Sequence, residues 1–183
     1  MGQAITDPEV RLLASIAATL RGDYTATRQA DLWRGSPFEW IRTLPSRQRG
    51  KIGEQLISGW CAAKGLDVTA SGDSEADRVI GGWRIEVKFS TLWASGVYTF
   101  QQIRDQRYDY LICLGLAPYD ARSWLVSKAL LKQHVIGHTP QHRGAAGRDT
   151  FWLSFRAPEP PSWLSRCGGT LGRTLELLQT IKK

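Results

Sequence analysis

The run Asp77-Arg78-Val79-Ile80-Gly81-Gly82-Trp83-Arg84-Ile85-Glu86-Val87-Lys88 constrains this chain more than any other. Two β-prone segments flank a diglycine, and glycine accepts the positive φ angles that a two-residue hairpin turn demands. The register then follows by counting. Ile80 faces Trp83, Val79 faces Arg84, Arg78 faces Ile85, and Asp77 faces Glu86. Opposed residues of an antiparallel pair project on one face with Cβ atoms roughly 4.5–5.5 Å apart. Lys88 lies two residues beyond Glu86 and shares that face. Ile80, Trp83, Ile85, Val87 and Phe89 fall on the opposite face, which is expected to be the core side.

Two acids and a lysine are thus gathered by strand geometry alone. Like charges placed opposite each other destabilise a sheet. Lys88 offsets part of the repulsion between Asp77 and Glu86. A divalent cation would offset the rest, and Mg²⁺ is commonly held by one or two carboxylates plus waters and phosphate oxygens. Without such an ion, the same cluster reads as a solvated polar face with a salt bridge.

Other segments extend the pattern. Gly50-Lys51-Ile52-Gly53-Glu54 opens a helix expected over Arg47 to Lys64, with Ile52, Leu56, Trp60 and Ala63 on one apolar stripe. Glu54 lies off that stripe, near Ile57, Ser58 and Cys61. A second helix is expected from Thr99 to about Arg107, with Gln101 and Gln102 near its start. Tyr110 to Leu116 is a near-continuous apolar run, as in a buried central strand. This ordered set resembles the catalytic core of the PD-(D/E)XK nucleases, and within them the type II restriction endonucleases. The resemblance covers roughly residues 37 to 135 and is clearest from 50 to 116. The leading acid lacks a preceding proline (Glu75-Ala76-Asp77), and Asp73 and Glu75 compete for its place; only Asp77 pairs with Glu86 across the turn.

The resemblance implies an activity and roles. Asp77 and Glu86 would ligate Mg²⁺, for which Mn²⁺ can substitute, and the Val87 carbonyl would be a further ligand. Lys88 would orient or help deprotonate the attacking water and stabilise developing charge. Glu54 would hold a metal-bound water or a second metal. Gln101 or Gln102 would touch a phosphate or the water network, and the helix phase leaves that choice open.

The formal net charge is +7, and arginine greatly outnumbers lysine. A basic balance suits a nucleic-acid partner. Arg47, Arg49 and Lys51 at a helix start, and Arg143 and Arg148 in a polar, glycine-rich loop, are the candidate DNA contacts. His134, His138 and His142 are spaced four apart, but Gly137 and Pro140 interrupt any helix that would present them to zinc. Trp33, Trp93 and Trp163 are the tryptophans whose context leaves room for a surface role. Cys61, Cys113 and Cys167 form no Cys-x-x-Cys pair and read as reduced thiols. No charged start precedes an apolar run at the N-terminus, and no stretch approaches the ~20 apolar residues of a membrane span. A soluble, cytoplasmic protein is expected.

Further elements complete the expected fold. Helices are expected from Asp7 to Arg21, near Gln29 to Trp33, from Phe38 to Leu44, from Lys128 to Gln133 and from Arg173 to Lys182. Strands are expected at Leu66 to Ala70, Ser123 to Val126 and Thr150 to Phe155. At 183 residues this is one domain overall: a helical N-terminal segment (1–45), then a nuclease core with a C-terminal extension (46–183). The fold class is α/β, a restriction-endonuclease-like core with a central mixed four- or five-stranded sheet flanked by helices.

The expected function is Mg²⁺-dependent, sequence-specific cleavage of double-stranded DNA. Cutting both strands at a symmetric site implies a homodimer, and the resemblance implies a companion DNA methyltransferase. The alternatives are a repair, junction-resolving or modification-dependent nuclease of the same superfamily, or a DNA-binding module without catalysis.

Overall fold

The structure, a computed structural model, describes residues 32–140 and 149–181. The chain divides into a unit of residues 1–34 and a unit of residues 35–183. Of the first, residues 32–34 are described and form part of a turn. The helix expected from Asp7 to Arg21 and the candidate contacts Arg143 and Arg148 lie outside the described residues, as does His142.

The second unit opens with the short helix α1 (Glu39–Arg42) and the long helix α2 (Ser46–Ala63). Three strands follow: β1 (Val68–Ala70), β2 (Arg78–Ile80) and β3 (Trp83–Thr91). The β2–β3 hairpin has the register counted from the sequence, with Ile80 opposite Trp83, Val79 opposite Arg84 and Arg78 opposite Ile85. Gly81 and Gly82 take φ of 56° and 84°, the two positive angles that only glycine adopts cheaply in such a turn.

The chain continues through β4 (Val97–Ile103), β5 (Tyr110–Leu116), β6 (Ala121–Ser127), helix α3 (Lys128–His134), β7 (Phe151–Arg156), and helices α4 (Ser162–Ser165) and α5 (Leu171–Thr180). A five-stranded sheet has the order β1-β2-β3-β5-β6. It is mixed, because β3 and β5 run parallel while its other pairs are antiparallel. Strands β4 and β7 form a separate antiparallel pair. The architecture is therefore mixed α/β, a central mixed sheet flanked by helices, as expected.

The helix expected from Thr99 to Arg107 does not form; its first half is β4. Tyr98 and Phe100 are fully buried and enter an aromatic cluster with Trp124 and Phe155, with ring centroids 5.1–6.3 Å apart. A strand projects both rings into that layer at a spacing of two. A helix would separate them by some 200°. Pairing with β7, distant in sequence, decides the conformation.

The expected core side also needs correction. Glu86 and Lys88 align with Leu111 and Cys113 of β5, and those two belong to the main apolar cluster. The large core thus lies on the acid-bearing face, beneath β4 and β7. The face carrying Ile85, Val87 and Phe89 is covered by α2. Strand β3 is interior and partly parallel-paired, so both its faces are buried.

Helix α2 packs through Gly53, Ile57 and Cys61, not through the stripe of Ile52, Leu56, Trp60 and Ala63. The small residue allows the close approach that selects this face. A Cβ on Gly53 would lie 2.5 Å from the Phe89 Cβ. The shift brings Glu54 next to the buried stripe and toward the sheet. Gly53→Ala is expected to push α2 from β3 and destabilise the fold by about 1–3 kcal/mol, the usual range for overpacking. Chemical denaturation would measure it; an unchanged midpoint would contradict the tight packing.

Candidate active site

Strand β3 is nine residues long, but β2 pairs only with Trp83, Arg84 and Ile85. On its other side β5 pairs from Ile85 to Thr91. Beyond Ile85 one edge of β3 is therefore left without a strand neighbour from its own sheet. A cleft of about 490 Å³ opens along this edge. The start of α2 supplies one wall (Ser46, Arg47, Arg49, Gly50, Lys51, Glu54). Trp93 and the β4 residues Thr99, Gln101 and Gln102 supply the other. Asp77 and residues 87–91 line its floor.

Asp77 sits where β2 begins. Its amide donates to the Ile85 carbonyl (3.0 Å), and its Oδ2 accepts from the Val87 amide (2.8 Å). The carboxylate thus replaces the missing strand partner at the first free position of the β3 edge. In a strand the N–H and C=O of one residue point to the same edge. The Val87 carbonyl therefore faces the cleft as well.

Glu86 is buried, with 6 % of its surface exposed. Its Oε1 accepts from Lys88 Nζ at 2.6 Å. Burial raises its pKa above the ordinary carboxylate value; Lys88 opposes the rise and Asp77 adds to it by charge and by hydrogen bonding. The Glu54 pKa is raised as well, first by burial and then by Asp77, against Arg78, Lys88 and Lys51. The structure thus brings Asp77, Glu86, Lys88 and Glu54 into one electrostatic cluster.

Arg78 ties the cluster together and was not singled out by the sequence pattern. Its Nε donates to Ser58 Oγ (3.0 Å), its Nη1 donates to the Asp77 carbonyl (2.6 Å), and its Nη2 lies 3.7 Å from Glu54 Oε2. One guanidinium therefore links two residues of α2 to the backbone of the leading acid. The signal was present: Arg78 pairs with Ile85 and so projects from the α2-facing side of the hairpin.

Gln101 and Gln102 lie on a strand, so the question of helix phase lapses. Phe100 pairs with Leu153 and Ile103 with Phe151, which leaves one extra residue on β4. Gln102 takes a φ of 57° at this bulge. Both glutamines line the cleft as a result. Such bulges recur beside functional sites, where they re-aim side chains.

Arg47 and Lys51 are exposed, and Arg49 is half-buried with its guanidinium donating to Ser46 Oγ (3.0 Å). Cations at a helix N-terminus oppose the macrodipole. The first turn of α2 has no acid, and its N-cap, Pro45, makes no side-chain hydrogen bond. This concentration of positive potential suits an anion in the cleft. Asp73 and Glu75 are engaged elsewhere, Asp73 with Arg84 (2.6 Å) and Glu75 with Arg107 (3.7 Å). His134 stacks on Trp163 with centroids 4.6 Å apart. Trp33 is buried, whereas Trp93 is 54 % exposed. The three cysteines are buried free thiols.

The donor set suits a hard cation. Asp77 and Glu86 each keep an oxygen beyond those engaged by Val87 and Lys88, and the Val87 carbonyl adds a neutral oxygen. All are oxygen donors, which favours Mg²⁺ or Mn²⁺ over softer metals. Among the described residues no group of three or more His, Cys, Asp or Glu side chains is arranged to hold a metal ion. Asp77 and Glu54 line the cleft itself, whereas Glu86, buried and bonded to Lys88, is not among its lining residues.

No protein-family model matches the chain, and no curated protein matches it. Among solved structures, the bacterial homing endonuclease I-Ssp6803I is similar, with 14% sequence identity and a TM-score of 0.48. The match covers 74% of this chain and 94% of that one. No helix among the described residues is long and apolar enough to cross a membrane.

The direction of the Glu86 shift carries a consequence for stability. Folding raises this acid's pKa, so its charged form is the one folding disfavours; the folded state loses stability as pH rises from the ordinary carboxylate value through the raised one. Glu86→Gln keeps the shape and an acceptor for Lys88. Melted in chelator at neutral pH, Glu86→Gln is expected to unfold at or above the wild-type temperature. A clear drop would show that the charge stabilises the metal-free fold.

Proposed function

We propose that this chain is a Mg²⁺-dependent, sequence-specific endonuclease for double-stranded DNA, of the type II restriction kind. One observation carries the reading. Asp77 and Lys88 line a cleft at the free edge of a strand, the buried Glu86 is bonded to Lys88, and one wall of that cleft is the cationic start of a helix. The charge requirements of phosphodiester hydrolysis fit that arrangement. An anion must be attacked by water, so the catalyst must neutralise the phosphate and improve the nucleophile.

Asp77, Glu86 and the Val87 carbonyl would hold the divalent ion. When bound, such an ion supplies Lewis-acid polarisation and a more acidic water. Lys88, its ammonium fixed by Glu86, would sit beside the scissile phosphate, orient the attacking water and stabilise the charge that develops. Glu54 and the two glutamines would order water around the phosphate. Arg47, Arg49 and Lys51 would hold neighbouring phosphates, contacts that set register rather than sequence. One cleft serves one strand, so a double-strand cut calls for two chains related by a twofold axis. A companion methyltransferase would protect the host site.

Incubating plasmid DNA with purified protein and Mg²⁺ is expected to give discrete fragments, and chelator is expected to abolish them. Nicks, smears or a need for modified DNA would favour a repair, junction-resolving or modification-dependent nuclease. Glu86→Ala and Lys88→Ala are expected to abolish cleavage while sparing much of the DNA binding. Mg²⁺ is expected to raise the melting temperature of the wild type but not of Glu86→Ala. A wild-type protein that binds DNA yet cuts none with Mg²⁺ or Mn²⁺ would point to a non-catalytic module.

Arg78 would act as a positioning residue. Arg78→Met is expected to lower cleavage and Mn²⁺ affinity by roughly ten- to a hundredfold, as lost outer-shell partners do, with DNA affinity little changed. Calorimetric Mn²⁺ titration separates this from simple unfolding. Lysine at position 78 would restore little, since an ammonium cannot span three partners in a plane.

A further inference from the structure

We propose that Trp93 is a stacking platform for a nucleobase drawn out of the duplex close to the bond that is cut, a proposal that rests on the endonuclease reading of the cleft. Trp93 lies in the turn between β3 and β4 and is 54 % exposed. It lines the same cleft as Asp77, Lys88, Arg47 and Arg49. Single exposed apolar residues are ordinary on a protein surface. An indole inside a strongly cationic cleft, beside clustered acids, is a different matter. Trp40 and Tyr119 are also exposed (55 % and 71 %), and neither lines this cleft.

The turn holds the ring on a fixed post. Leu92 N–H donates to the Leu116 carbonyl of β5 (2.7 Å), and Trp93 N–H donates to the Val97 carbonyl (3.0 Å). Gly96 N–H donates back to the Trp93 carbonyl (2.9 Å), with a Gly96 φ of 75° closing the turn. The backbone on both sides of the indole is therefore pinned to the central sheet and to β4. The ring itself pairs with no other described aromatic ring. A rigid, partly exposed π-face beside phosphate-binding cations is the recurrent chemistry of base stacking.

Distance sets where the base must lie. Trp93 is five residues beyond Lys88 on the same run, so their Cα atoms are at most roughly 17 Å apart at about 3.3 Å per residue. DNA advances about 3.4 Å per base step. The search for the stacked base therefore starts within about five steps of the cut.

The test is a double-mutant cycle between Trp93 and the DNA. Cut ends are first mapped with the wild type. Binding is then measured with Lys88→Ala protein, with and without Trp93→Ala. The duplexes carry one abasic position at a time within five steps of the cut. Trp93→Ala is expected to weaken binding roughly five- to a hundredfold, the range of base–aromatic stacking. At one position base removal is expected to affect the Trp93 protein less favourably than Trp93→Ala by a similar factor, because the cost of unpairing the base is common to both and drops out of the comparison. Trp93→Phe, a safer fold, is expected to retain most of the affinity. Unchanged affinity in Trp93→Ala at an unchanged melting temperature, or additive losses at every position, would overturn the proposal while leaving the endonuclease reading intact. A wild-type protein that neither cuts nor binds DNA would overturn both.

Discussion

The Val87 amide donates to a side chain where the ladder of a sheet would supply a backbone carbonyl. Much of the site depends on that substitution. A strand edge left open inside a protein carries unpaired donors and acceptors, and each is costly if nothing satisfies it. Here β2 begins only at Arg78, and the carboxylate of the preceding residue reaches over the next position of β3. The acid thereby closes one hydrogen bond of the ladder and stands beside Glu86. It also leaves the Val87 carbonyl facing the cleft. One shortened strand accounts for the opening, the placement of the first acid and the exposure of a backbone oxygen.

The electrostatics follow from how the opening is walled. Glu86 is pushed toward the protonated form chiefly by burial, since Leu111 and Cys113 flank it on the neighbouring strand. A buried acid opposed by a second acid is destabilising unless something positive compensates. Lys88 supplies one charge within the strand. Arg78 supplies another from the hairpin, and it spends its donors on Ser58 and the Asp77 carbonyl as well as Glu54. Lys88 itself lines the cleft, whereas Arg78 holds Asp77 and Glu54 from the α2 side. The uncapped, basic start of α2 then places a second zone of positive potential in the wall beside the acids. An anionic polymer with a cation at its reacting phosphate fits both zones at once.

What could be read from the sequence was local. The diglycine turn made the register of the hairpin a matter of counting, and the structure has that register from Ile80–Trp83 to Arg78–Ile85, with Asp77 just beyond the paired stretch. The run Tyr110 to Leu116 announced itself as a strand buried on both faces. Non-local packing was less legible. From sequence, residues 99–103 are expected to start a helix, and only the pairing of β4 with β7, some fifty residues later, makes them a strand. The face of α2 was misjudged for a related reason. Hydrophobicity favours Ile52, Leu56 and Trp60, whereas close approach to Phe89 favours Gly53. Periodicity records which residues are apolar, but shape decides how near a helix may come. The same rotation determines whether Glu54 points to solvent or to the acids.

Strand β4 shows what that error concealed. A helix on this wall would have offered the cleft one glutamine per turn and buried its neighbour. The strand instead carries an extra residue between Phe100 and Ile103, and Gln102 adopts a φ of 57° that side chains seldom take. The strain is tolerable because Phe100 and Ile103 on either side are fully buried and hold the ends of the bulge in place. Alternation along a regular strand would have turned one of two successive side chains into the aromatic layer. With the bulge, Gln101 and Gln102 both line the cleft, and the strand begins at the turn that carries Trp93. A wall with two amides and an indole on a backbone anchored to the core is stiffer than a loop of the same composition. Stiffness is what a site needs if its hydrogen bonds are to be aimed before the substrate arrives.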